Sequence, residues 1–79
     1  MGVAMGRLTI FQAMKKAIDT AVSEGRSYYV LPRSQGPGYY ATHRWAKGWL
    51  FHAYPGGRKV LSMAGKELVD TAVRNKVPL

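Results

Sequence analysis

The sequence predicts an α+β domain: two amphipathic helices packed on one face of a three- to four-stranded antiparallel sheet, in the order α-β-β-β(-β)-α. Three observations carry this expectation. Apolar residues recur at helical spacing near both ends of the chain. The middle is rich in aromatic and β-branched residues, broken by glycine and proline. The chain has 79 residues and no cysteine, enough for one domain (1–79) and incompatible with a disulfide framework. A chain this short buries only about 60% of the surface its unfolded form exposes, so its core is small. Two histidines and four scattered acids do not make a protein-only zinc site, and no cofactor is expected.

Residues 1–7 read as a flexible leader without the apolar core of a signal peptide. Thr9-Ile10-Phe11-Gln12 has the form of a capping box. A helix over 10–24 follows, with an apolar stripe of Ile10, Phe11, Met14, Ala17, Ile18, Ala21 and Val22 and Gly25 as a left-handed stop. Residues 27–31, Ser-Tyr-Tyr-Val-Leu, predict a strand that ends at Pro32 or lies at an edge, because proline cannot donate to a ladder. Residues 34–38 form a loop by composition.

Ala46-Lys47-Gly48 lies between two strand-like runs and fits a three-residue hairpin loop. That register sets Trp45 opposite Trp49, His43 opposite Phe51 and Ala41 opposite Ala53, all on one face. The other face takes Tyr40, Thr42, Arg44, Leu50, His52 and Tyr54. Gly56-Gly57 predicts a second tight turn, pairing Ala53 with Val60 and Tyr54 with Lys59. On this reading Trp45, Trp49 and Phe51 are core, packed beside Ile18, Val22, Leu68 and Val69. Ser62 caps a second helix from about Met63 to Asn75, with Leu68, Val69, Ala72 and Val73 as its buried stripe. Lys66–Asp70 and Asp70–Arg74 are its expected i,i+4 ion pairs, Gly65 weakens its first turn, and Pro78 lies beyond its end.

The net charge is +8. It excludes an acidic mimic of DNA and favours a polyanionic partner: nucleic acid, or an acidic protein or ribonucleoprotein surface. The charge is segregated. From Arg26 to Lys59 there are six bases and no acid, and the same stretch holds eight of the nine aromatic residues. Bases pair with phosphates and rings stack on nucleobases, so this mixture suits a single-stranded or irregular nucleic acid. The candidate binding residues are Tyr40, Arg44, Lys47, His52, Tyr54, Arg58 and Lys59. His52, expected near Thr42, is the one candidate for acid–base chemistry, as in a metal-independent ribonuclease toxin, and a non-enzyme is the leading expectation. No apolar run reaches the roughly 20 residues that span a bilayer, so no membrane partner is expected and the cytoplasm is the default location.

The helix–strand–strand–strand–helix order resembles that of double-stranded-RNA-binding domains. Gly36-Pro37 falls in the first inter-strand loop, where that family has a Gly-Pro-x-His element. The histidine's position holds Tyr39, and the basic cluster at the start of the second helix is reduced to Lys66, so the likeness covers topology and one dipeptide. The chain is also similar in general character to short phage and mobile-element proteins, including anti-CRISPR proteins. That likeness implies an inhibitor that occupies a surface of a host complex.

Overall fold

Thr9 starts the first helix as its capping box dictates. Its hydroxyl accepts from the Gln12 amide at 3.1 Å, and the Gln12 side chain accepts from the Thr9 amide at 2.9 Å. The structure, a computed structural model, describes residues 8–76; the expected leader and Pro78 lie outside the described residues. Helix α1 spans Ile10–Glu24 and stops at Gly25, whose φ of 71° is left-handed. Its buried side is Ile10, Ala13, Ala17 and Ala21, with Met14 and Ile18 half-buried beside it. Phe11 and Val22, expected in the stripe, are exposed. Both stripes obey helical spacing. The alanine one wins because small side chains let the helix axis approach the sheet.

Four strands follow: β1 (Tyr28–Pro32), β2 (Tyr39–Thr42), β3 (Phe51–Ala53) and β4 (Lys59–Leu61), in sheet order β2-β1-β3-β4 with every neighbour antiparallel. The sheet is thus two hairpins joined along a seam, where Tyr28 pairs with Ala53 and Val30 with Phe51. β1 ends at Pro32 as expected, yet it is an inner strand. The Val30 carbonyl accepts from Leu50, so alternation turns Pro32 to the same side, beyond the last β1–β3 pair, where no donor is required. Leu8 bridges Tyr39 on the outer edge of β2.

This order overturns the expected central hairpin. β2 pairs with β1 and not with β3, so Trp45 does not oppose Trp49, nor His43 Phe51. The Thr42 hydroxyl accepts from the Arg44 amide at 3.2 Å, a local turn that takes the chain out of the strand. Residues 43–50 then pass β1 to reach β3. Ala46-Lys47-Gly48 does turn, with the Trp49 amide donating to the Ala46 carbonyl and Gly48 at φ 94°, but it joins no hairpin. Trp45, expected in the core, is 63% exposed, and Trp49 is half-buried. Only Phe51 of the three is sealed. The second hairpin is real but slips by one residue. Its loop has three residues, Pro55-Gly56-Gly57, because Tyr54 donates to Arg58 and Gly57, at φ 101°, donates to Tyr54. Ala53 therefore faces Lys59, and His52 faces Val60.

Despite the wrong partners, the expected division of β2 and β3 into faces holds. Ala41, Phe51 and Ala53 share the face under α1 with Tyr28, Val30, Tyr39 and Leu61. Tyr40, Thr42 and His52 fall on the other, with Tyr29, Leu31 and Val60. Helix α2, Met63–Asn75, begins at Ser62, whose hydroxyl accepts from the Gly65 amide at 3.0 Å, and it packs against β4. Gly65 is buried on the backbone of Leu50, where a Cβ would collide with the carbonyl, so this glycine is a close-approach site rather than a weak point. Ala72 is buried and Leu68 and Val69 half-buried, whereas Val73 is exposed. The ion pairs among the described residues are Lys15–Asp19 and Arg26–Glu24; the pairs expected on α2 are not made, and Arg74 donates to Thr71 instead. No helix among the described residues is long and apolar enough to cross a membrane.

Candidate functional site

The sheet face opposite α1 carries a row of rings. Alternation along β3 aims His52 to this side, and the residue pairing Tyr29 with His52 brings β1 alongside. The His52 ring stacks on Tyr54 at 3.8 Å and 18°, and lies against Tyr29 at 4.3 Å. Trp49, delivered by the crossover, meets Tyr29 and His52 edge-on at 6.5 and 6.2 Å. The three-residue loop sets Arg58 directly across from Tyr54, with its guanidinium carbon 4.4 Å from the ring centroid, a cation–π contact. The result is a continuous row of phenol, imidazole, phenol and guanidinium.

Burial within this row holds the His52 imidazole below its ordinary pKa, and the charge of Arg58 adds to the effect. Its Nε2 is buried with no hydrogen-bond partner among the described residues. Tyr29 stands between His52 and Thr42, which were expected to be close. The arrangement is that of a packed ring, with its outer nitrogen covered.

The other candidates are spread around this row. Tyr40 is 40% exposed on edge strand β2 and opens onto a recess of about 240 Å³ shared with Arg33, Ser34 and Gln35. Arg44 and Lys47 are exposed on the crossover, flanking Trp45. Lys59 is exposed but pairs with Ala53, so it belongs to the α1 side of the sheet, away from His52 and Tyr54. His52, Tyr54 and Arg58 are therefore brought together; Arg44 and Lys47 form a second group; Tyr40 and Lys59 stand apart.

Sequence reasoning missed three contributors. Tyr29 and Trp49 complete the row of rings, and Trp45 is a surface residue. A signal for Trp45 was present in Thr42-His43-Arg44, where the threonine that ends β2 can turn the chain by accepting from the amide two residues on. A further polar cluster joins α1 to β1. Glu24 accepts from the Tyr28 phenol at 2.6 Å and from Arg26 at 2.9 Å. These bonds hold the Glu24 carboxyl below its ordinary pKa and push the Tyr28 phenol up. Arg26 thus has a carboxylate partner, unlike Arg44, Lys47, Arg58 and Lys59 among the described residues. Among the described residues no group of three or more His, Cys, Asp or Glu is placed to hold a metal ion. No protein family, curated protein or solved structure matches the chain.

Proposed function

We propose that this chain is a small, basic, non-enzymatic protein of the cytoplasm that contacts nucleic acid, free or within a ribonucleoprotein. The observation that carries the reading is one of composition laid onto the fold. The segment from Arg26 to Lys59 has no acid; in it Arg44 and Lys47 are exposed on either side of the open Trp45, Arg58 lies on the Tyr54 ring, and none of the three has a carboxylate partner among the described residues. Unpaired cations next to exposed rings suit a partner that offers phosphates and bases together. The buried Nε2 of His52 argues against the ribonuclease reading, since a general acid or base must reach its substrate.

Titrating fluorescent DNA and RNA oligonucleotides at two salt concentrations tests the proposal. Each phosphate contact on a single strand contributes a log–log salt slope near −0.7, because it displaces condensed counterions. Arg44→Glu and Arg58→Glu should flatten that slope. If neither oligonucleotide binds at low salt, the nucleic-acid reading fails. Capture of a host protein complex that survives nuclease treatment would then favour an inhibitor of the anti-CRISPR type, acting on an acidic protein face.

A further inference from the structure

Rings that recognise bases need a free face, and the row on the sheet has already used its own. His52 is stacked against Tyr54 on one side and lies against Tyr29 on the other. Tyr54 is in contact with His52 and with the Arg58 guanidinium. Trp49 is half-buried and turned edge-on to two of these rings. This surface is saturated by its own contacts. Trp45 differs: it is 63% exposed, the most open aromatic residue described. Tryptophan has a large apolar surface and is seldom left this open without a partner.

The crossover also holds Trp45 in place. Thr42 pins the chain two residues into the segment through the Arg44 amide. The turn from Ala46 to Trp49 closes with Gly48 left-handed, and Leu50 rejoins the sheet on the Val30 carbonyl at 2.8 Å. Trp45 therefore lies between two fixed backbone points, so a ligand need not order the segment that presents the ring. Its neighbours Arg44 and Lys47 are exposed cations.

We propose that Trp45 is a base-stacking anchor, with Arg44 and Lys47 as its phosphate contacts, and that the ligand is therefore single-stranded nucleic acid. This rests on the nucleic-acid reading and narrows it. An indole can stack on an unpaired base of any sequence, because every base has a π-face. A continuous duplex hides those faces between its base pairs, and reaching them requires unstacking.

Fluorescent oligothymidine, oligouridine and a blunt-ended duplex, titrated at low salt, test this. The single strands should bind at least roughly tenfold more tightly than the duplex. Trp45→Ala should weaken single-strand binding roughly 5- to 150-fold, the loss typical of one stacked base, and Trp45→Phe should restore most of it. Neither variant should alter the thermal melting curve appreciably, because the side chain is exposed. Lys47→Gln should lower the salt slope and keep the preference for single strands. The DNA and RNA arms report which sugar is preferred. Equal affinity for duplex and single strands, or an unchanged affinity in Trp45→Ala, would overturn the stacking anchor and leave nucleic-acid binding standing. If the wild-type chain binds no oligonucleotide at all, both readings fall together.

Discussion

On the face under α1, Val30, Phe51 and Ala53 are sealed against Ala13, Ala17 and Ala21. On the opposite face, Tyr29, His52 and Tyr54 stack on one another and Arg58 closes the row. Strands β1 and β3 contribute to both, and the residues that flank the second hairpin loop complete the second. In the first, small helix residues and large sheet residues interlock, and the stabilisation comes from apolar area removed from water. In the second, half-buried polar rings pack ring to ring, and a titratable nitrogen is enclosed with them. The first face can tolerate pH and salt and cannot tolerate a change of volume. The second tolerates modest changes of shape and is sensitive to charge.

The largest expected effect is on the sealed face. Phe51 is 2% exposed at the seam between the hairpins, and Phe51→Ala should cost about 3–5 kcal/mol in chemical denaturation. A loss near zero would mean that the seam is not where the sheet is held. Gly65→Ala comes next. In an ordinary exposed helix this change stabilises by about 1 kcal/mol. Here the added methyl meets the Leu50 backbone, so the sign should reverse to a destabilisation of about 1–3 kcal/mol. A stabilised variant would show that α2 does not press on Leu50.

The smallest effect sharpens the other face. Burial and Arg58 disfavour the charged form of His52 in the folded protein, while the unfolded chain titrates near the ordinary value of about 6.5. Below that value the unfolded state binds more protons, so stability is full above it and declines as the pH falls through the window down to the lower folded pKa. His52→Phe keeps a ring in the stack and removes the titration. Denaturation curves of the two proteins should diverge as pH falls below about 6.5 and run parallel above it. Parallel curves across the whole range would place His52 in water rather than in the row.

Both helices were legible nearly to the residue, because capping and periodicity are local. Thr9 with Gln12, Gly25 and Ser62 act on amides within one turn of themselves. The division of β2 and β3 into faces was legible for a similar reason: alternation is a property of a single strand. Strand pairing was not. Gly48 and Gly57 mark where the chain turns, and both adopt positive φ, but a turn does not say which strand lies alongside. β1 inserted between two runs that look like consecutive arms of one hairpin. One extra residue in the Pro55-Gly56-Gly57 loop moved Lys59 to the α1 side and Val60 away from it. Of the candidate site, Tyr54, His52 and Arg58 converge, and the exposure of Trp45 was hidden by the assumption that the run through Thr42-His43-Arg44 stays in the sheet.

The division of the sheet into two hairpins sets an order of assembly. Each hairpin closes across a short loop, 33–38 in one and 55–57 in the other, so each can form on the microsecond scale of local contacts. The seam joins residues such as Tyr28 and Ala53 that are far apart in the chain, and it exists only once residues 43–50 have swung past β1. Zipping that seam closes the longest loop between paired strands, and the expected outcome in stopped-flow refolding is that it limits the folding rate. Substitutions at Val30 and Phe51, where the halves meet, should therefore slow folding, whereas those in α2 should mainly hasten unfolding.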